Sequence, residues 1–210
     1  MAFDFKKEFK EFYMPEKKPG VVNVPRMNYL AARVKGDPNL EGGEYQQSIE
    51  LLYGIAFTIK MSKMGSRRIA GYFDFVVPPL EGFWRQDGAT EIDYDHKERF
   101  QGISAVRLPD FVAKADFDWA VQEATRKKKR DFSKVEFLTL SEGECVQCMH
   151  VGPYDEEPAT VALMREYIES RGYVLDLSEQ RTHHEIYLSD PRRVPPEKIK
   201  TVVRLPIKRA

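Results

Sequence analysis

The sequence predicts an α+β fold made of two related halves, with helices on one face of an antiparallel sheet. Two observations predict it. The tetrapeptide Val-Arg-Leu-Pro occurs twice, at Val106–Pro109 and Val203–Pro206. Each copy closes the same series of segments: an apolar run, a turn containing Gly and Pro, an amphipathic helix and a strand-like run. Because four matched elements recur in one order, we interpret residues 28–109 and 134–206 as two copies of one unit.

The first half begins with the apolar run from Tyr29, which ends at the turn residues Gly36 and Pro38. Apolar residues then recur at helical spacings of four and three, which predicts a helix. These residues are Tyr45, Ile49, Leu52, Ala56 and Ile59. The run 72–77 (Tyr-Phe-Asp-Phe-Val-Val) is typical of a strand.

The second half repeats this order, from an apolar run at Cys145 to a turn at Gly152-Pro153. Pro158 suits the first turn of a helix, and Gly172 is a typical end signal for it. The next strand, His183–Leu188, aligns with 72–77 without a gap, and this alignment places Asp74 opposite Glu185. A structure that put these two acids on unrelated elements would contradict the alignment.

Two segments lie outside the repeat. Residues 1–27 are predicted to be an N-terminal extension with a short amphipathic helix, and residues 28–210 the domain proper. A connecting helix over 116–129 precedes a strand at 134–140, which leads into the second half.

Composition excludes several function classes. The 33 basic and 33 acidic residues cancel, so we predict no nucleic-acid partner. Neither a signal peptide nor a run of about 18 apolar residues is present, which predicts no membrane partner. The two free thiols, Cys145 and Cys148, fit a cytoplasmic protein. On a strand they would face opposite ways and could not clamp one metal ion, and no phosphate-binding loop is present, so we predict neither a metal nor a cofactor.

Alternation along His183–Leu188 separates two sets of side chains. His184, Ile186 and Leu188 share one face, which we expect to pack against the helices. His183, Glu185 and Tyr187 share the other, open face. Tyr72 and Asp74 occupy the equivalent face of the run 72–77. An acid among aromatic rings, mirrored by a second acid, suits a cleft for a flat or cationic ligand. A solvated outer face is the alternative interpretation.

Other aromatic residues are candidates for the same cleft. Trp84 and Phe83 fall in a loop-like segment after Pro78-Pro79, where they would line a pocket rim or cover a sheet edge. Trp119 lies off the apolar stripe of its helix and is a candidate pocket wall. Tyr154 follows the second Gly-Pro turn and would face the cleft.

The segments Glu142–Thr160 and His183–Arg192 resemble the GyrI-like small-molecule-binding family. The resemblance runs from about residue 28 to the C-terminus. It implies a tandem SHS2-type module: a curved antiparallel sheet with helices on one face and a ligand cleft on the other. Family members bind hydrophobic, often cationic, compounds, and the resemblance makes Glu185 the ligand-facing acid. Many relatives carry this module behind a helix-turn-helix domain, which is not found in this sequence.

Stand-alone members that this chain resembles hydrolyse cyclopropanoid DNA-alkylating toxins. That resemblance implies aromatic walls that hold the substrate while Glu185 deprotonates a water molecule, with Tyr187 or Tyr154 stabilising charge on the substrate's carbonyl oxygen. A non-catalytic drug-binding or sensor module is the alternative, and a topoisomerase-interacting protein is a third. The residues do not separate hydrolysis from binding, and they do not fix the ligand or the oligomeric state.

Overall fold

The computed structural model of the protein describes residues 2–86 and 92–210. In these residues, five α-helices are interspersed with seven strands along the chain. The helices are α1 (Phe5–Glu8), α2 (Lys10–Tyr13), α3 (Glu44–Lys60), α4 (Lys114–Lys128) and α5 (Glu157–Ser170). The strands are β1 (Gly20–Lys35), β2 (Leu80–Gln86), β3 (Phe100–Arg107), β4 (Val135–Val151), β5 (Tyr173–Leu175), β6 (His183–Tyr187) and β7 (Lys200–Arg209).

Six of the strands close into a ring. Their order is β1, β3, β2, β6, β7 and β4, and β4 pairs back with β1, so that every pairing is antiparallel. The short strand β5 pairs with the C-terminal end of β7, at Ile207–Arg209, beyond the ring pairings. The prediction of an α+β fold with a curved antiparallel sheet is therefore confirmed. Closure of that sheet into a ring is additional, and it leaves the six strands without a free edge.

The two halves share one order of elements. The first half runs β1, α3, β2, β3, and the second runs β4, α5, β6, β7 with β5 inserted. Both Val-Arg-Leu-Pro segments fall at the last strand of their half, where Arg107 and Arg204 are buried. That the halves superpose about a pseudo-two-fold axis stays a prediction.

The interior of the ring contains a buried charge network, formed by Glu81, Glu142, His184 and Arg204. His184 contacts Glu81 at 3.0 Å through Nε2 and Glu142 at 2.9 Å through Nδ1. Arg204 donates to the other oxygen of Glu142 at 2.9 Å. Two acids and two bases thus neutralise one another, which is the condition for burying charges at tolerable cost.

The N-terminal segment closes one end of this interior. The Tyr13 hydroxyl donates to Glu81 at 3.3 Å, and Arg204 donates to the carbonyl of Phe12 at 3.1 Å. Gln147 donates to the carbonyl of Glu11. Strand β1 already begins at Gly20, inside the predicted extension 1–27. Because Tyr13 is almost fully buried, this extension is part of the core.

The longer helices cover the outer face of the ring. Met164 and Ile168 of α5 pack against Val146 and Val203, while Tyr45 of α3 packs near Trp84. Helix α5 carries Pro158 in its first turn, as predicted. Within the described chain, no helix is both long and apolar enough to cross a membrane.

Two predicted assignments are reversed in the structure: a predicted strand is not a strand, and a predicted loop is one. The run 72–77 is not a strand, since Phe75 forms only an isolated bridge with Phe3. Residues 80–86, predicted to be loop-like, form strand β2 instead. The partner of Glu185 in β2 is Gly82, whereas Asp74 lies on an exposed segment and pairs with Lys63 at 2.8 Å. The alignment of Asp74 with Glu185 is therefore wrong.

The predicted assignment of the β6 faces is reversed. His184 and Ile186 point into the ring, where His184 stacks on Phe83 with ring centroids 3.9 Å apart. His183, Glu185 and Tyr187 lie on the outer face, together with α3 and α5. The alternation itself was correct, but closing the ring creates a buried interior that an open sheet would not have.

Substitution of Glu142 tests how much the buried network contributes to the free energy of unfolding. Burial would raise its pKa, but His184 and Arg204 lower it from 4.5 to about 2. Its contribution to stability is therefore present above pH 4.5 and is lost as the pH falls towards 2. We expect Glu142→Gln to reduce the free energy of unfolding at pH 7 by about 3 kcal/mol. Urea denaturation from pH 7 to pH 3 should show the difference from wild type shrinking.

Glu123→Gln is the matched control. Hydrogen bonds from Arg126 and Lys127 lower the pKa of Glu123 to about 2 as well, but this group lies on the exposed side of α4. Solvent screens such a pair, so its loss should change stability far less. Equal losses in the two variants would contradict the role given to burial.

Candidate functional site

The floor of the site is the indole of Trp84, which lies over two glycines on the outer face. A methyl group at Gly82 would lie 2.7 Å from the Tyr187 hydroxyl and would overlap the indole. A methyl group at Gly102, directly across from Trp84 on β3, would overlap the six-membered ring. Only glycine leaves room for the ring at these positions. The two glycines therefore fix the position of the indole on the sheet.

Three tyrosines surround this indole. Trp84 Nε1 donates to the Tyr187 hydroxyl at 2.9 Å, and the Tyr45 ring lies 5.5 Å from the indole. The Tyr154 ring stands perpendicular to the Tyr187 ring at 5.9 Å. We call these four residues the aromatic wall. Each half of the chain supplies two of them, so the wall spans the junction of the halves.

A cluster of two glutamates and a histidine adjoins the wall. His183 Nε2 lies 3.1 Å from Glu157 Oε1 and 3.4 Å from Glu185 Oε1. The side chains of Glu157, His183 and Glu185 are 2%, 4% and 13% exposed, so Glu185 is the member that faces solvent most. We call these three residues the Glu–His–Glu cluster. A single N–H group thus faces two carboxylates.

The cluster shifts the pKa values of its members. Burial alone would lower the pKa of His183, but hydrogen bonds and charge from Glu157 and Glu185 raise it to about 10. Burial, followed by the negative charge of Glu157, raises the pKa of Glu185, while His183 and the nearby Tyr187 hydroxyl oppose that rise. At neutral pH His183 is therefore an imidazolium, held between the side chains of Glu157 and Glu185.

The spacing of the cluster bears on metal binding. One atom from each of its three members lies within 4.8 Å of the others, a spacing that can also accommodate a metal ion. The proton on His183 already accounts for both close contacts, so we interpret the cluster as an ion pair rather than a metal site.

Tyr154 differs from Tyr187 in its partners. The Tyr187 hydroxyl accepts the indole N–H, and burial followed by the charge of Glu185 raises its pKa. Within residues 2–86 and 92–210, the Tyr154 hydroxyl makes no hydrogen bond, and burial raises its pKa to about 12. Tyr154 therefore keeps a neutral O–H group for a bound ligand.

The structure brings together five of the predicted site residues and separates four others. Trp84, Tyr154, His183, Glu185 and Tyr187 meet on the outer face. The others lie in the ring interior (Phe83), on α4 under Arg67 (Trp119), against the carbonyl of Lys60 (Tyr72) and on an exposed segment (Asp74).

Three residues of the site were missed by sequence analysis. Tyr45 belongs to the apolar stripe of α3, and Glu157 precedes the helix proline Pro158, so each had a structural explanation. Tyr94 lies between β2 and β3 and donates to Glu157 at 2.9 Å. The usable signal was Gly82 and Gly102, because glycine within a strand marks a close approach.

The two cysteines lie apart from this cluster. Cys145 and Cys148 are both free and buried on β4, and three residues of separation send them to opposite faces. Burial raises the pKa of Cys148 to about 11. Neither thiol is therefore poised as a nucleophile at neutral pH.

Comparison with known proteins gives consistent results. A model of the GyrI-like small molecule binding domain matches residues 17–208. An uncharacterized conserved protein from Listeria innocua is 50% identical over 99% of this chain and 100% of that chain, with a TM-score of 0.92. A Listeria innocua protein described as a hydrolase is 49% identical with the same coverage and a TM-score of 0.89.

A more distant structure shares only the fold. The EcmrR C-terminal domain is 13% identical, with a TM-score of 0.55, over 92% of this chain and 98% of that chain. The comparison with curated proteins found no match.

The packing of the Trp84 indole on Gly82 and Gly102 can be tested in a Trp119→Phe background, where Trp84 is the sole tryptophan. We expect Gly82→Ala to displace the indole and break its hydrogen bond to Tyr187, which tryptophan fluorescence should report as a shifted emission maximum. Gly20→Ala is the control, because a methyl group at that strand position meets nothing within 4 Å. An unchanged spectrum in Gly82→Ala would show that the indole does not lie there.

Proposed function

This chain belongs to the GyrI-like family of small molecule binding domains, and we propose that it binds a flat aromatic electrophile against Trp84 and hydrolyses it with Glu185 as general base. The substrate class that we propose is a cyclopropanoid alkylator whose strained ring is conjugated with a carbonyl group. The description of a 49% identical Listeria innocua protein as a hydrolase supports hydrolysis. The observation that carries the proposal is the position of Glu185 beside an aromatic wall.

Binding follows from the wall. Trp84 supplies a large buried ring, and the half-buried Tyr45, Tyr154 and Tyr187 add ring edges and hydroxyls beside it. Stacking on such rings favours flat aromatic ligands and requires no particular hydrogen-bond pattern. The negative charge of the Glu–His–Glu cluster would add attraction for a ligand that carries positive charge.

The chemical step needs a base and a place for negative charge. Glu185 accepts a proton from water as the water oxygen bonds to a carbon of the three-membered ring. The ring C–C bond breaks, and its electron pair moves through the conjugated system to the carbonyl oxygen. That oxygen takes up a proton, so that the product is the substrate plus one water. The raised pKa of Glu185 makes it a better base than an ordinary carboxylate.

Tyr154 and Tyr187 have different roles in this scheme. Tyr187 accepts from Trp84 and lies close enough to Glu185 to stabilise its charge, so it orients the base. Tyr154 has an uncommitted hydroxyl and therefore donates to the developing oxyanion.

A non-catalytic binding module is the second candidate. It is favoured by the composition of the cluster, in which two acidic side chains face a single histidine. Such a site would retain cationic aromatic compounds without turning them over.

Glu185→Gln distinguishes these functions. We expect turnover of a cyclopropanoid alkylator, followed by mass spectrometry of the water adduct, to fall by about 10²–10⁴-fold because the base is lost. Binding of neutral aromatic ligands should persist. Glu144→Gln is the control, since Glu144 is also a sheet glutamate that accepts from a tyrosine, Tyr173, outside this site. A wild-type protein that binds cationic ligands but forms no water adduct would instead support the binding module.

A further inference from the structure

We propose that Tyr94 and Glu157 are positioning residues that set the basicity of Glu185 through the shared N–H group of His183. This inference rests on the proposed function of Glu185. Among the described residues, neither side chain forms a hydrogen bond with the aromatic wall. Their hydrogen bonds lead to the base through His183, Tyr94 from the first half and Glu157 from the second.

The first step is the competition for one donor. His183 Nε2 is 3.1 Å from Glu157 and 3.4 Å from Glu185, so its N–H is shared between two acceptors. The shorter distance belongs to Glu157, and Glu185 receives the weaker contact. A stronger hydrogen bond from this N–H to Glu157 therefore means a weaker one to Glu185, which leaves the Glu185 carboxylate less stabilised.

The second step is the hydrogen bond from Tyr94. Its hydroxyl donates at 2.9 Å to Glu157 Oε1, the same oxygen that faces His183. This hydrogen bond stabilises part of the negative charge of Glu157, so that Glu157 attracts the imidazolium of His183 less strongly. Tyr94 thereby leaves more of the His183 N–H for Glu185.

The third step identifies what holds Tyr94 in place. Residues 92–99 lie just before β3 in the chain and, in space, bridge the end of β2 and the start of α5. We call them the crossing segment. Gln86 of β2 donates to the carbonyl of Asp93 at 2.7 Å. Lys97 pairs with Asp155 at 2.8 Å next to α5. The Tyr94–Glu157 hydrogen bond lies between these two contacts, so the crossing segment couples the first half to the cluster.

The groups that face the cluster come from several elements. On β6 these are His183 and Tyr187, and on α5 they are Glu157 and Arg165, whose charge acts on Tyr94. The remaining groups are Tyr45 on α3, Tyr94 on the crossing segment and Tyr154 before α5, which is itself near Asp190. Of these groups, Tyr94 donates to the same oxygen of Glu157 that contacts His183.

The proposal requires opposite shifts in two variants. Glu157→Gln removes a like charge near Glu185 and leaves the His183 N–H to Glu185, so the pKa of Glu185 should fall. Tyr94→Phe leaves Glu157 with one donor fewer, so Glu157 draws the N–H away and the pKa of Glu185 should rise. A shift of about one pH unit in each direction is the expected scale.

The first measurement is the pH profile of kcat/KM for a cyclopropanoid alkylator. Its acid limb should move to lower pH in Glu157→Gln and to higher pH in Tyr94→Phe. At a fixed pH on that limb, a shift of one unit is about a ten-fold change in rate. Tyr173→Phe is the control, because it removes a hydroxyl that donates to a carboxylate, Glu144, outside the cluster, and its profile should match wild type. Shifts of the same sign in both variants would overturn the proposal.

The second measurement does not depend on turnover. NMR titration of the His183 ring protons in ligand-free protein, assigned with His183→Asn, should give a lower pKa in Glu157→Gln and a higher one in Tyr94→Phe. An unchanged His183 titration in both variants would overturn the proposal while leaving hydrolysis by Glu185 intact. The expected titrations in a protein that forms no water adduct would support the shared N–H and refute the hydrolase function. Tyr94→Phe changes only a hydroxyl, so it keeps the test decisive should Glu157→Gln fail to fold.

Discussion

The pairing of β2 with β6 is the constraint on which the site depends. It joins the first half of the chain to the second and, with the pairing of β1 to β4, closes the ring. The register places Gly82 beside Glu185 and Trp84 beside His183. Because cross-strand neighbours on one face lie about 5 Å apart, this register alone brings the indole of one half to the acid of the other. Neither half contains the site by itself.

The same pairing separates two adjacent histidines into different environments. His184 points into the ring and joins Glu81, Glu142 and Arg204, while His183 points outward to Glu157 and Glu185. Both imidazoles have raised pKa values, because carboxylate partners outweigh the effect of burial. Their roles nevertheless differ. The inner network is closed off by the N-terminal segment, whereas the outer cluster includes a carboxylate that is partly exposed. A slip of one residue would exchange the two environments.

Sequence analysis found the three longer helices and most of the acid's surroundings, but it misplaced one strand and did not find β5. The run 72–77 alternates as a strand does, whereas β2 follows Pro78-Pro79 and contains Gly82, both of which are typical of loops. Gly82 is in the strand because the indole of Trp84 occupies the space where a side chain would be. That reason is visible only once the indole has been placed. Ring closure was likewise not predictable from local alternation, since it depends on which strands meet across the halves.

The roles that we propose for Tyr187 and Tyr154 rest on hydrogen-bond capacity. A hydroxyl offers one proton and accepts through its lone pairs. Tyr187 accepts a hydrogen bond from Trp84 and is buried beside Glu185. Its own proton is therefore available to donate to the Glu185 carboxylate. The hydroxyl of Tyr154 has no such commitment among the described residues, and its neutral form is favoured by burial. In the proposed reaction the base acts on the attacking water and the oxyanion donor acts on the carbonyl oxygen. One tyrosine proton cannot serve both the base and the oxyanion. The arrangement meets that condition, because the tyrosine next to Glu185 and the tyrosine left for the ligand are different residues.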